Sequence, residues 1–249
     1  MIHKQFNGIH WLEFELLADC PLIHGCFMRH GGHSTGELSS LNLGHRVGDA
    51  PENVEANFKK IKEALSLQEI VCAKICHGDA VEEINTSHTP LSDGLMTRTE
   101  NLAISISQAD CQAAIFYDPI NHAIANVHSG WRSSVLNIYE NTVKKMKSSY
   151  GSRPENLLVC ISPSLGPENA EFVNYKEEFP ESFSEFEIKP LHFDFWEISE
   201  RQLKSAGVLP HHIQTARIDT YSNEDFFSFR RSKTTGRQAT ICSLRTKLS

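Results

Sequence analysis

What most restricts the fold of this chain is a succession of short apolar runs, each too short for a helix and each bounded by turn residues. Residues 70–75, 102–106, 112–117, 122–127, 157–161, 213–218 and 239–244 all read this way, as strands of a largely buried sheet. Alternation of apolar and acidic residues over 12–16 suggests one more strand, half exposed. Helical periodicity is rarer. Val54, Phe58, Ile61 and Leu65 share one helix face behind Asp49-Ala50-Pro51-Glu52, which reads as a capping Asp followed by an early Pro. Val135, Ile138, Tyr139, Thr142, Val143 and Met146 form a second stripe, and a short helix over 196–206 stops at Gly207. Helices interrupt the strands irregularly, so the expected fold is α+β, a layered α/β arrangement with mixed β-sheets, in a single domain over 1–249 rather than a doubly wound sheet.

The stretch 29–50 is rich in Gly, Ser and Asn, and long loops of this kind in compact domains are commonly functional; Leu38, Leu41 and Leu43 favour docking of this one against the body. Net charge is −7, with Lys and Arg numbering 24 against 31 Asp and Glu. A protein that coats nucleic acid needs a basic surface, so that class is excluded. No apolar run reaches the ~20 residues that span a bilayer, which excludes a membrane helix. Residues 1–7 carry no apolar signal core, so the expectation is a cytoplasmic protein with reduced thiols. Its seven cysteines are an odd number and include no Cys-x-x-Cys pair.

Chemistry concentrates at strand ends. His77, Cys111 and His128 each lie at or just past the end of an apolar run, and two imidazoles with a thiolate make a zinc set that leaves a fourth position open. The intervals are too long for one local motif, and the same three residues also read as hydrogen-bonded core histidines and a small buried thiol. Asp110 stands beside Cys111, where a carboxylate orients a ligand or a water. Ser129-Gly130-Trp131-Arg132 leads into a helix start, whose free N–H groups favour an anion. Arg29, Arg132, Arg230, Arg231 and Arg237 are clustered in an acidic chain, either to recognise phosphate or carboxylate or to pair with Glu224 and Asp225. Phe226, Phe227 and Phe229 read as core, Cys72 and Cys76 as inert thiols on one strand face, and His211-His212 as a surface turn. No Gly-x-Ser-x-Gly elbow and no phosphate loop ending in Lys-Ser or Lys-Thr is present.

A series of motifs in fixed order adds to this reading: Met28-Arg29-His30-Gly31-Gly32-His33-Ser34, Ser40-Leu41-Asn42-Leu43-Gly44, Gly48-Asp49, His77-Gly78, Asp93-Gly94-Leu95-Met96-Thr97, Ala109-Asp110-Cys111, His128-Ser129-Gly130-Trp131-Arg132, and Phe226-Phe227-Ser228-Phe229-Arg230-Arg231 with Thr235-Gly236-Arg237. In these the sequence resembles the purine nucleoside phosphorylase family long labelled polyphenol oxidase or laccase-domain proteins, which includes bacterial peptidoglycan-editing factors. The likeness runs over roughly residues 20–245, nearly a whole domain.

The resemblance implies a zinc ion on His77, Cys111 and His128, and phosphorolysis of adenosine, inosine, guanosine and methylthioadenosine, with adenosine deamination as a second reaction. It implies catalytic roles for Asp110, Cys111 and His128, and phosphate or sugar contacts from Arg29, Asn42, Arg132, Arg230 and Arg237. The partners are then a purine nucleoside and phosphate, with neither nucleic acid nor membrane, and the default state is a monomer. Copper, implied by the older label, is discounted because one His-Cys-His set lacks the several coppers of a multicopper oxidase. Other readings are a metal-free Cys-His hydrolase, a peptidoglycan-precursor editing factor, and a non-enzymatic wall or division partner with structural zinc. The chain departs from the family pattern at Gln108 (usually Thr), Ser129 (Ala), Ser133 (Gly), Ser162, the stretch 169–172, and Asp219 (Cys). The ligand set is intact while the substrate-facing loop has drifted.

Overall fold

The computed structural model describes residues 1–86 and 89–246. One six-stranded sheet runs β1 (Ile2–Phe6), β2 (Ile9–Glu13), β3 (Leu22–Phe27), β14 (Gln238–Leu244), β7 (Leu102–Gln108), β4 (Glu69–Cys72). A second runs β13 (Ile213–Thr215), β10 (Leu158–Ile161), β8 (Gln112–Asp118), β9 (Ala123–Ser129), β6 (Gly94–Thr97), β5 (Val81–Glu83). Pairing is antiparallel except where β4 joins β7, β5 joins β6 and β13 joins β10. A small ribbon of β11 (Glu187–Lys189) and β12 (His192–Phe193) lies apart. Both sheets are thus mixed, as the irregular spacing of helices predicts.

The sheets pack face to face, and helices cover both outer faces, giving four layers. Strand alternation distributes the side chains. On β8, Ile115 and Tyr117 enter the central core with Ile104 of β7 and Cys242 of β14, while Ala114 and Phe116 turn outward. The outward set meets Ile138, Tyr139, Val143 and Met146 of α3 (Ile138–Tyr150) and Leu203 of α5 (Phe195–Ser205). On the other side, Val54, Phe58, Ile61 and Leu65 of α1 (Pro51–Leu65) close over Ile9, Phe27, Ala239 and Ile241. Burying each large apolar side chain stabilises the fold by about 1.5–3 kcal/mol, and truncating one to alanine costs about 2–5 kcal/mol. No helix among the described residues is long and apolar enough to cross a membrane.

Local departures have local causes. The cap of α1 is Ala50, with Pro51 opening the helix, because the Asp49 carboxylate is drawn into the Gly-rich loop by Ser34 Oγ (2.6 Å) and Asn42 Nδ2 (2.8 Å). The alternating strand ends at Glu13, and residues 15–17 form a 3₁₀ turn instead. The single helix expected from Val135 onward is two, α2 (Trp131–Val135) and α3. Asn137 takes a left-handed conformation (φ 56°) between them and accepts from the Glu140 amide, a geometry that asparagine tolerates well. A single turn, α4 (Tyr175–Glu178), follows in the aromatic stretch after residue 168. The loop 29–50 is docked, with Leu41 and Leu43 buried and Leu38 partly so. Asn57 of α1 anchors it, accepting from the His33 amide (2.7 Å) and donating to the Asn42 carbonyl (2.8 Å).

Candidate metal centre

Strand register brings the centre together. The inward face of β9 is set by Ile124 in the central core, and by Asn126, whose amide crosses to the carbonyls of Ile104 (3.3 Å) and Thr240 (2.8 Å). His128 is next on that face. Gln112 pairs with Ser129 across the β8–β9 hairpin, so Cys111, just before β8, is carried up beside the end of β9. The pairing of Gly94 with Val127 extends one step further, where the His128 amide donates to the Asp93 carbonyl at 2.6 Å. His77 arrives from the loop after β4 in a left-handed conformation (φ 60°), sparsely populated for any residue but glycine.

One ligand atom from each of His77, Cys111 and His128 lies within 4.8 Å of the others, with His77 exposed, Cys111 half-buried and His128 buried. The His77 and His128 rings meet edge to face, their centroids 5.0 Å apart. Gly130 floors the cradle. A Cβ there would stand 3.1 Å from Cys111 Sγ, 3.3 Å from His77 Nδ1 and 3.4 Å from His128 Cε1. Two nitrogens and one sulfur converging on a space that an added methyl would crowd make a donor set able to hold a metal ion.

Asp93 backs the centre. Its buried carboxylate receives the His77 amide (2.9 Å) and His128 Nδ1 (2.9 Å) on Oδ1, and the Gly78 amide (2.8 Å), the Cys76 amide (3.3 Å) and the Cys76 thiol (2.9 Å) on Oδ2. Burial works to raise its pKa, but the His128 ring, the Cys76 thiol and the Gly78 amide outweigh that and hold it at about 2. The His128 ring is pushed up in turn, since Cys111 and Asp93 overcome the effect of burial.

A cleft of about 980 Å³ opens over the trio. Arg46, Lys74, Arg132 and Arg237 line it, and no Asp or Glu does among the described residues, although the chain is acidic overall. Such a lining attracts anions. Arg132 lies over the Trp131 ring at 4.0 Å, and Arg237 is held by its amide on Asn42 Oδ1 (2.9 Å). Phe229, 42% exposed, also lines the cleft, between Lys233 and Arg237, whereas Phe226 and Phe227 are core as expected.

Other expected residues sit elsewhere. Asp110 (φ 80°) is not among the cleft-lining residues and is engaged by Thr220 Oγ1 (2.8 Å) and the Arg230 amide (2.6 Å), while the carboxylate that meets His128 is Asp93. Arg29 braces the Ser39 carbonyl and lies over Phe227, and the Arg230 guanidinium donates to the Glu171 carbonyl; neither lines the cleft. Asn42 is fully buried and acts through Arg237. Among the described residues no arginine pairs with Glu224 or Asp225; His30 holds Asp225 at 2.8 Å. The expected anion cradle of a helix start belongs to α2, which has five residues and so little dipole of its own, leaving anion attraction to the cationic side chains. Cys76 is exposed and outside the strand, not an inert partner of Cys72. His211-His212 does form a surface turn.

Sequence reasoning gave no role to Asp93, Arg46 or Lys74. Asp93 had a signal, an Asp-Gly pair opening an apolar run as His77-Gly78 closes another, but its partner is set only by sheet register.

A family model described as multi-copper polyphenol oxidoreductase laccase matches residues 23–245. A purine nucleoside phosphorylase of Bacteroides thetaiotaomicron is 31% identical over 247 residues, covering 88% of this chain and 90% of its own. Purine nucleoside phosphorylase YfiH of Escherichia coli is 31% identical over 225 residues, with 86% and 90% covered. The crystal structure of YlmD from Geobacillus stearothermophilus superposes with a TM-score of 0.88 at 26% identity, over 97% of this chain and 98% of that one. The chain therefore belongs to the multi-copper polyphenol oxidoreductase laccase family, alongside relatives named purine nucleoside phosphorylase.

Proposed function

We propose that the protein is a zinc-dependent purine nucleoside phosphorylase acting on adenosine, inosine, guanosine and methylthioadenosine, with adenosine deamination as a second reaction of the same cleft. The observation that carries this reading is the cleft itself: among the described residues a three-donor centre and four cationic side chains share one space with no carboxylate in its lining. Relatives named purine nucleoside phosphorylase support it. His77, Cys111 and His128 would hold the zinc, which would supply a Lewis acid for the charge that develops on the departing purine. Arg132 and Arg237 bind phosphate and turn it toward the ribose C1′, while Trp131 and Phe229 offer ring faces and keep water out. One group of three or more metal-ligating side chains is found among the described residues, which favours a single zinc over the several coppers of a laccase. A monomer in the cytoplasm completes the reading.

A metal-free Cys-His hydrolase is the second reading, favoured by the series Cys111, His128, Asp93, which resembles a nucleophile, its base and the group orienting it. One experiment separates the two. Incubated with adenosine and inorganic phosphate, the protein should release adenine and ribose 1-phosphate in equal amounts, and chelator or Cys111→Ala should abolish both. Arg132→Ala, which removes a charge-assisted contact of about 1.5–3 kcal/mol, should raise the KM for phosphate by about tenfold or more. No product above the Cys111→Ala background rejects the phosphorylase, and activity that survives chelation rejects the zinc.

A further inference from the structure

We propose that Asp93 is a positioning residue that aims two donors of the centre at once, fixing the proton of His128 on Nδ1 and the pose of His77. The inference rests on the reading of His77, Cys111 and His128 as the metal centre, and adds a residue outside that trio. An ionised carboxylate only accepts hydrogen bonds, so the 2.9 Å contact with Asp93 Oδ1 requires His128 Nδ1 to carry the proton. In the neutral ring Nε2 is then the bare nitrogen, with its lone pair free for a ligand. The same oxygen receives the His77 amide, and the other receives both amides flanking it. That grip holds the histidine in its left-handed turn.

The two functions cannot be separated in an amide. Asparagine has one accepting oxygen and one donating NH2. With the NH2 toward the loop it faces the N–H groups of Cys76 and Gly78, and the turn presenting His77 is repelled. With the NH2 toward β9 it faces His128, whose proton must move to Nε2, removing the lone pair. Either orientation loses a donor. Glutamate keeps both oxygens but adds a methylene in a fully buried position, so it restores little.

The test measures zinc affinity by chelator competition, together with the tautomer of His128 by long-range ¹H–¹⁵N correlation of the imidazoles. Asp93→Asn should bind zinc about 10–100-fold more weakly than the unaltered protein while keeping its far-ultraviolet circular dichroism. In the unaltered protein, zinc-loaded or metal-free at a pH that leaves the ring neutral, the single His128 proton should reside on Nδ1. Asp93→Asn that binds zinc as tightly as the unaltered protein, or a neutral His128 ring with its proton on Nε2, overturns the inference. Should Asp93→Asn fail to fold, the tautomer in the unaltered protein decides alone. An unaltered protein that binds no zinc removes the metal reading instead, and its metal-free spectrum still decides whether Asp93 sets the ring.

Discussion

Gly130→Ala is the substitution whose effect the geometry fixes most closely. Gly130 has φ −83° and ψ 178°, an extended conformation open to any residue, so alanine costs no backbone strain. By narrowing the unfolded ensemble it should add about 0.4–1 kcal/mol of stability. The side chain is another matter, because its Cβ would lie 3.1 Å from Cys111 Sγ, 3.3 Å from His77 Nδ1 and 3.4 Å from His128 Cε1. Ordinary contacts are about 3.5–4.0 Å, so the donors must retreat by roughly 0.3–0.5 Å. Ligand distances tolerate only about 0.2 Å. Overpacking of this size costs about 1–3 kcal/mol, and where it falls on the loaded state it weakens zinc binding about ten- to a hundredfold. Chelator competition reads the affinity, and thermal unfolding of metal-stripped protein reads the fold. The expected pair is weaker zinc binding with an unchanged or higher Tm of the stripped protein. Unaltered zinc affinity would refute the cradle, and a fall in stripped-state Tm would show that Gly130 serves the fold rather than the metal.

Two further outcomes test the frame around the site. Asn57→Ala strands buried groups of the Gly-rich loop, among them the Asn42 carbonyl, at about 1–3 kcal/mol for each, and should lower Tm by roughly 5–10 °C in a circular dichroism melt. An unchanged Tm would mean the loop is held by other contacts. Burial lowers the buried His24 from 6.5 to about 4, and its Nε2 accepts the Phe14 amide (2.8 Å). The neutral ring is the native form, so the unfolded chain binds the extra proton between these values. This contribution is complete above pH 6.5 and is lost as pH falls toward about 4, by at most about 1.4 kcal/mol for each pH unit. Denaturant titrations should show that acid loss diminished in His24→Gln; an identical slope would assign it to other groups.

The parts of this protein that were legible in its sequence are those carried by local period. The α1 stripe of Val54, Phe58, Ile61 and Leu65 is buried as spaced, and the runs near 104, 115, 125 and 241 are strands. The trio was readable because each member closes or follows such a run. What failed depends on contacts between distant segments. Cys76 left the strand because β4 ends at Cys72, after which Lys74 turns to bond the Pro90 carbonyl. The run expected to continue to residue 218 stops at Thr215. Asp110 is claimed by Thr220, far along the chain, and Arg29 by the Phe227 ring. Asp93 gains its role only through the pairing of β6 with β9, a register that no single segment encodes. Asp49 shows the same competition at short range, since a good capping residue was taken by the loop beside it.

X-ray absorption at the zinc edge, on protein purified without chelator, tests the central claim most directly. The expected spectrum is that of one zinc per chain with a single sulfur at about 2.3 Å, two imidazole nitrogens at about 2.0–2.1 Å and a further light-atom ligand in the open position. A protein free of zinc, a shell without sulfur, or a shell with several sulfurs would contradict a centre built from His77, Cys111 and His128.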